Sequence, residues 1–98
     1  MSTRFVVRLG NICTGHGPYP PRPNIEGSPN FSIKGFPVHR EGDGWASHCR
    51  TSPPWDCHTS VMGVCDSKFM ANGKTVAFVG DPVVCGSFCA EGEASLLG

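Results

Sequence analysis

Apolar and polar positions fall into the same short order twice along the chain. Residues 30–43 read Asn-Phe-Ser-Ile-Lys-Gly-Phe-Pro-Val-His-Arg-Glu-Gly-Asp, and residues 68–81 read Lys-Phe-Met-Ala-Asn-Gly-Lys-Thr-Val-Ala-Phe-Val-Gly-Asp. The two align without gaps, with Phe31 on Phe69, Gly35 on Gly73, Val38 on Val76 and a Gly-Asp pair closing each. Asn72-Gly73 between apolar runs is a strong hairpin signal, because both turn positions need positive φ, and Lys34-Gly35 is its weaker counterpart. Each segment therefore predicts a strand, a tight turn and a returning strand.

A third copy is divided between the chain ends. Val6-Val7-Arg8-Leu9-Gly10-Asn11 overlays Val38 to Asp43, and Gly92-Glu93-Ala94-Ser95-Leu96-Leu97 falls in register with Gly27 to Ser32. The N- and C-terminal strands are expected to pair and close the figure. Three hairpins about a pseudo-threefold axis cannot each bury an apolar face alone, so they must lean together. The predicted fold is small and all-β. It is a pseudo-threefold, three-sided pyramid of short β-hairpins with few or no helices, forming one domain over residues 1–98.

Composition agrees with short strands and many turns, since 13 glycines and nine prolines punctuate 98 residues. The formal net charge is +0 and the pI about 6.9, which offers no basic face to nucleic acid. The longest apolar runs, such as Val76 to Val79, are far too short to span a bilayer. Phe5-Val6-Val7 is interrupted by Arg8 and lacks a signal-peptide core, so synthesis in a cytosol without ordinary secretory export is expected. On that route the Asn30-Phe31-Ser32 sequon carries little meaning.

Six cysteines and four histidines in such a chain direct attention to a metal. Gly10-Asn11 leads to His16, Gly42-Asp43 leads to His48, and Gly80-Asp81 leads to Cys85, at nearly equal distances. If the three turns are equivalent, these side chains converge on the axis at one end of the body. Three donors leave a tetrahedral zinc one short. The segment Thr51 to Met62 has no counterpart in the other copies, and it supplies Cys57-His58; His58 is the preferred fourth ligand. Cys49 and Cys57 flank the two histidines and could replace either. Mixed imidazole and thiolate donors suit zinc, which would act as a structural staple, one per chain. His39 is read as a surface or core-edge histidine and not a ligand. Trp45 and Trp55 are read as packing for the 51–62 segment. Cys13, Cys65 and Cys89 receive no role, and a disulfide among them stays open.

Pro37-Val38-His39-Arg40-Glu41-Gly42-Asp43, preceded by Gly27-Ser28-Pro29-Asn30, resembles the PAAR-repeat proteins, with Val38 and His39 where that family's tetrapeptide has two alanines. The resemblance runs from about Val7 to Leu97. "GNICTGHG", "PPRPNIEGSPN" and "NGKTVAFVGDPVVCGS" are similar to the single-domain members at the spike tips of contractile phage tails. It implies a small pyramid capping a trimeric β-helical spike, one tip chain per trimer, with zinc near the sharp vertex held by His16, His48, His58 and Cys85. The implied role is mechanical, in breaching a cell envelope by transient contact without stable insertion. The implied place is the virion's tail baseplate. A type VI secretion spike tip is the alternative; such tips often carry C-terminal toxin extensions, whereas this sequence stops at Gly98. Two other classes stay in view. A zinc deaminase-like enzyme would use His39-Arg40-Glu41 and the Pro82 to Cys89 stretch, although Cys85 and Cys89 are spaced one residue too far apart. A disulfide-stapled binding module would need no metal.

Overall fold

The computed structural model describes residues 4–65 and 67–95. Eight short strands follow in order: β1 (Arg4–Val6), β2 (Ser32–Ile33), β3 (Phe36–Pro37), β4 (Gly44–Cys49), β5 (Cys57–Val61), β6 (Met70–Ala71), β7 (Lys74–Thr75) and β8 (Glu93–Ser95). They pair antiparallel as β1–β8, β2–β3, β4–β5 and β6–β7, and the described residues contain no helix. The β2–β3 and β6–β7 hairpins are the two predicted from the repeat. Both turn positions have positive φ in each: 51° and 86° at Lys34 and Gly35, 58° and 78° at Asn72 and Gly73. Lys34 takes the left-handed conformation despite its side chain, so the weaker sequence signal produces the same turn.

Closure by the termini is also found, with Arg4 opposite Ser95 and Val6 opposite Glu93. Gly27 and Gly92 occupy matching places. A Cβ on Gly27 would lie 2.9 Å from the Val38 carbonyl oxygen, and one on Gly92 would lie 2.7 Å from that of Val6. Beyond them the copies diverge. The Ser28 hydroxyl accepts from the backbone N–H of Asn30 and Phe31, bending that strand, whereas β8 continues straight along β1. Leu96 and Leu97 lie outside the described residues.

The threefold relation is written in the backbone hydrogen bonds. Val7 donates to Ala77, Ala77 to His39, and His39 to Val7, at 2.9, 3.0 and 2.9 Å, closing a ring of three equivalent residues. A second set repeats it two residues on: Leu9 to Pro37, Glu41 to Thr75 and Val79 to Phe5, at 2.8, 2.9 and 2.9 Å. Each returning strand thus satisfies its backbone on both of the other two, leaving no unpaired edge at this level. Side chains alternate across the ring. Val6, Val38 and Val76 pack with Ala71 and Phe78 on the hairpin side, while Val7 and Ala77 join the larger cluster of Cys13, Trp45, Met62, Cys65, Val83 and Cys89.

His39 is the exception to its expected place. It is fully buried, at 0% exposure, because the ring position it shares with Val7 and Ala77 points into the body. Its Nδ1 hydrogen-bonds the Glu26 carbonyl, and its ring meets Trp45 edge-on at 5.1 Å. Burial holds its pKa below the usual imidazole value, keeping it neutral.

Candidate metal centre

The Gly-Asp and Gly-Asn pairs are the corners that launch three arms from the ring. At each corner the aspartate or asparagine N–H returns to the carbonyl three residues back, Asn11 to Arg8, Asp43 to Arg40 and Asp81 to Phe78, at 3.0–3.1 Å. The glycine at the third position has φ of 91°, 85° or 97°, as a type II turn requires. The side chain then accepts from the N–H of the turn's first residue: Asn11 from Arg8 at 2.8 Å, Asp43 from Arg40 at 2.9 Å, Asp81 from Phe78 at 2.9 Å. Amide and carboxylate perform this bond alike, which is why Asn11 substitutes for aspartate.

Past the corners each outgoing arm is held by its own return and by a neighbour's. Cys13 faces Cys89, Asn24 faces Trp45, and Met62 faces Val83. Cys13, Trp45 and Val83 occupy equivalent places two residues after the corners, all at 2% exposure or less. This gives Cys13 and Cys89 their place: they are small apolar members of the core, as is Cys65. Burial pushes the Cys65 thiol up to about 12 and raises that of Cys89 further, so both stay protonated. Trp45 therefore packs the main core. Trp55 is largely exposed, at 61%, and stands out from the turn that its N–H closes onto Ser52.

The middle arm is the longest, and within the 51–62 segment that has no counterpart in the other copies Cys57–Val61 forms a strand. β5 returns along β4 with Gly44 opposite Val61, His48 opposite His58 and Cys49 opposite Cys57, and a register shift lies between Trp45 and His48. Cys49 and Cys57 are joined in a disulfide, so neither is left to replace a histidine. The other arms turn back sooner, one at His16 to Tyr19 and one at Val83 to Ser87.

Their ends bring together His16, His48, His58 and Cys85, whose donor atoms all lie within 4.8 Å of one another. The Nε2 atoms are 3.2 Å apart for His16–His48, 3.1 Å for His16–His58 and 2.7 Å for His48–His58. His48 Nδ1 lies 2.8 Å from the Pro20 carbonyl; a carbonyl only accepts, so this nitrogen carries the proton and Nε2 presents a lone pair. Tetrahedral bonds of about 2.0–2.1 Å would separate neighbouring nitrogens by about 3.3 Å, near the two His16 distances and longer than the 2.7 Å of His48–His58. The cluster could hold a metal ion.

The Cys85 thiol suits this task. Burial alone would raise its pKa, but hydrogen bonds from the Ser87 hydroxyl and backbone, with His58 and Arg22, outweigh burial and bring it down to about 5. Tyr19 lies against all three imidazoles at centroid distances of 4.3–5.1 Å, and its hydroxyl donates to Asp56 at 3.0 Å. Tyr19, Arg22 and Ser87 had no signal in the sequence beyond their closeness to the candidate ligands. His39 and Cys89 are not members of the cluster, so the residues of a deaminase-like site are not assembled.

Alkylation of the metal-free, non-reduced chain should modify Cys85 first. Of the four free thiols it alone is not buried, and Cys49 and Cys57 should be recovered as one disulfide-linked peptide pair. Equal labelling of Cys13, Cys65 and Cys89 would contradict this packing.

Comparison with curated proteins gives no match. The PAAR motif family model matches residues 14–90 of the 98. The matched span holds two of the three corners and all four clustered donors, and the chain belongs to the PAAR motif family, spike-tip-like proteins of contractile injection systems.

Proposed function

We propose that this protein is the structural tip of a contractile phage tail, one chain capping the end of a trimeric β-helical spike in the virion's baseplate. The observation that carries the reading is the ring of Val7, His39 and Ala77, by which one chain imitates a threefold object. Such a body can meet three identical subunits in nearly equivalent ways and cover their open strand edges. The hairpin end is suited to docking. Phe31, Phe69 and Met70 are 52%, 38% and 54% exposed, and with Ile33 they line a groove of about 350 Å³ between β2–β3 and β6–β7. Phe5 adds an exposed ring at the third side.

At the other end His16, His48, His58 and Cys85 act as ligands of one zinc ion. Imidazole and thiolate donors favour zinc, and four protein ligands leave no open position for a reactive water. The metal is a staple, and the role is mechanical: a sharpened tip in transient contact with the target envelope, with no catalytic step. A type VI secretion spike would accept the same body, so both classes of spike belong in the test. Co-expressed with a trimeric phage spike, the chain should co-purify at one tip per three spike subunits. Phe31→Asp and Phe69→Asp should each weaken binding by about 30-fold or more, as loss of a central apolar anchor does. Undiminished binding by both variants would remove the hairpin end as the docking face, and preference for a secretion spike would replace the phage assignment.

A further inference from the structure

We infer that Arg22 is a positioning residue of the metal centre, tying the Cys85 sulfur to the arm that carries His48. The inference rests on the zinc reading above. Arg22 is 5% exposed, in the return of the first arm, and its guanidinium reaches all three arms at once. Nη1 donates to Cys13 Sγ at 3.0 Å and Ser87 Oγ at 3.3 Å, Nη2 donates to Cys85 Sγ at 3.5 Å, and Nε donates to the Ala46 carbonyl at 2.7 Å. Cys13 belongs to the first arm, Ala46 to the second, and Cys85 and Ser87 to the third. The guanidinium carbon also lies 5.2 Å from the centre of the Trp45 ring, which limits the head group's freedom.

The Ala46 contact is the informative one. Ala46 lies within the register shift between Trp45 and His48, where β4 departs from regular pairing with β5. A strand read without that shift would aim its side chains differently, so the bond to Ala46 helps fix where His48 points. The same planar fork meets the Cys85 sulfur. Ser87, which touches both Arg22 and Cys85, completes a closed set of contacts around that sulfur. Lysine has the charge but not the fork, and it could not hold four acceptors in this arrangement. Metal sites need donors placed within about 0.5 Å, and outer partners of ligands typically contribute 10–100-fold to metal affinity.

The test uses Co²⁺ as the probe, because sulfur-to-cobalt charge transfer reports on the Cys85 bond. Wild type, Arg22→Met, Arg22→Lys and a core control, Val38→Ala, are loaded and titrated with a competing chelator. Both Arg22 variants should bind Co²⁺ about 10–100-fold more weakly and show a displaced charge-transfer band. Val38→Ala should lose stability with the band unmoved, which separates positioning from ordinary packing. Wild-type affinity and an unmoved band in both Arg22 variants would overturn the inference while leaving the metal centre intact. Full rescue by lysine would overturn the role of the fork. A wild-type chain that binds no Co²⁺ would refute the zinc reading itself, and Arg22 with it. Should both variants fail to fold, the Nε–H resonance of Arg22 in the wild type decides: zinc loading should shift it, and an unchanged signal overturns the inference.

Discussion

Stripping the metal from the purified chain should lower its melting temperature by roughly 15–30 °C. A ligand present at a thousandfold its dissociation constant stabilises the folded state by about 4 kcal/mol, and each kcal/mol moves a domain of this size by about 4–8 °C. The loosening should be uneven. His48 and His58 face each other on a ladder already closed by the Cys49–Cys57 disulfide, whereas the arms ending at His16 and Cys85 have no such cross-link. Amide exchange after chelation should therefore rise most around residues 14–20 and 84–87, with 44–61 still protected. His16→Ala, His48→Ala and Cys85→Ala should each lose metal and stability together. Wild-type metal content in all three variants, or a melting temperature indifferent to chelation, would dismiss the metal as the staple.

Three features made the fold legible before any coordinate. The spacing between copies is the spacing between ring partners, so aligning Val38 with Val76 and with Val6 already named the residues that cross around the axis. The Gly-Asp and Gly-Asn pairs encode a backbone requirement, positive φ followed by a side-chain acceptor, and such requirements survive in sequence. Three of the clustered donors, His16, His48 and Cys85, followed from their nearly equal distances beyond the corners, and His58 from the segment that has no counterpart in the other copies. What escaped was nonlocal. β5 is separated from β4 by a proline-rich turn, and Cys57 to Val61 has little strand character of its own; pairing with β4 makes it a strand. The Cys49–Cys57 link could not be read from spacing, since connectivity is a property of the fold. His39 was misplaced because a polar side chain on an alternating strand suggests an outward face, yet all three equivalents at that ring position point inward. Arg22 was invisible because its meaning lies in touching three arms that meet only in the folded body.

Replacing Asp43 by alanine should cost about 3–5 kcal/mol, a large share of the 5–15 kcal/mol that holds a typical domain together. Asp43 is fully buried and does two things. It caps its corner by accepting the Arg40 N–H, and it takes two hydrogen bonds from the Arg40 guanidinium, Nε to Oδ2 and Nη2 to Oδ1, each 2.9 Å. Those side-chain bonds also raise the Arg40 pKa, so the cation persists at any working pH. Alanine removes the cap and leaves a guanidinium at 6% exposure without this carboxylate. Asparagine separates the two losses, because Asn11 shows an amide capping the equivalent corner. Asp43→Asn should therefore cost less than alanine, and pairing it with Arg40→Met should recover part of the remainder, since the coupling between the two side chains vanishes with them. A more exposed ion pair at the third copy gives a comparison. There Arg8 pairs with Glu93 at 3.1 Å, with both side chains more than a fifth exposed, and Glu93→Gln should cost about 1 kcal/mol or less. Urea denaturation of the four variants measures the whole series. An Asp43→Ala chain within about 1 kcal/mol of wild type would mean that the corner closes on glycine geometry alone and that Arg40 finds water when its partner is gone.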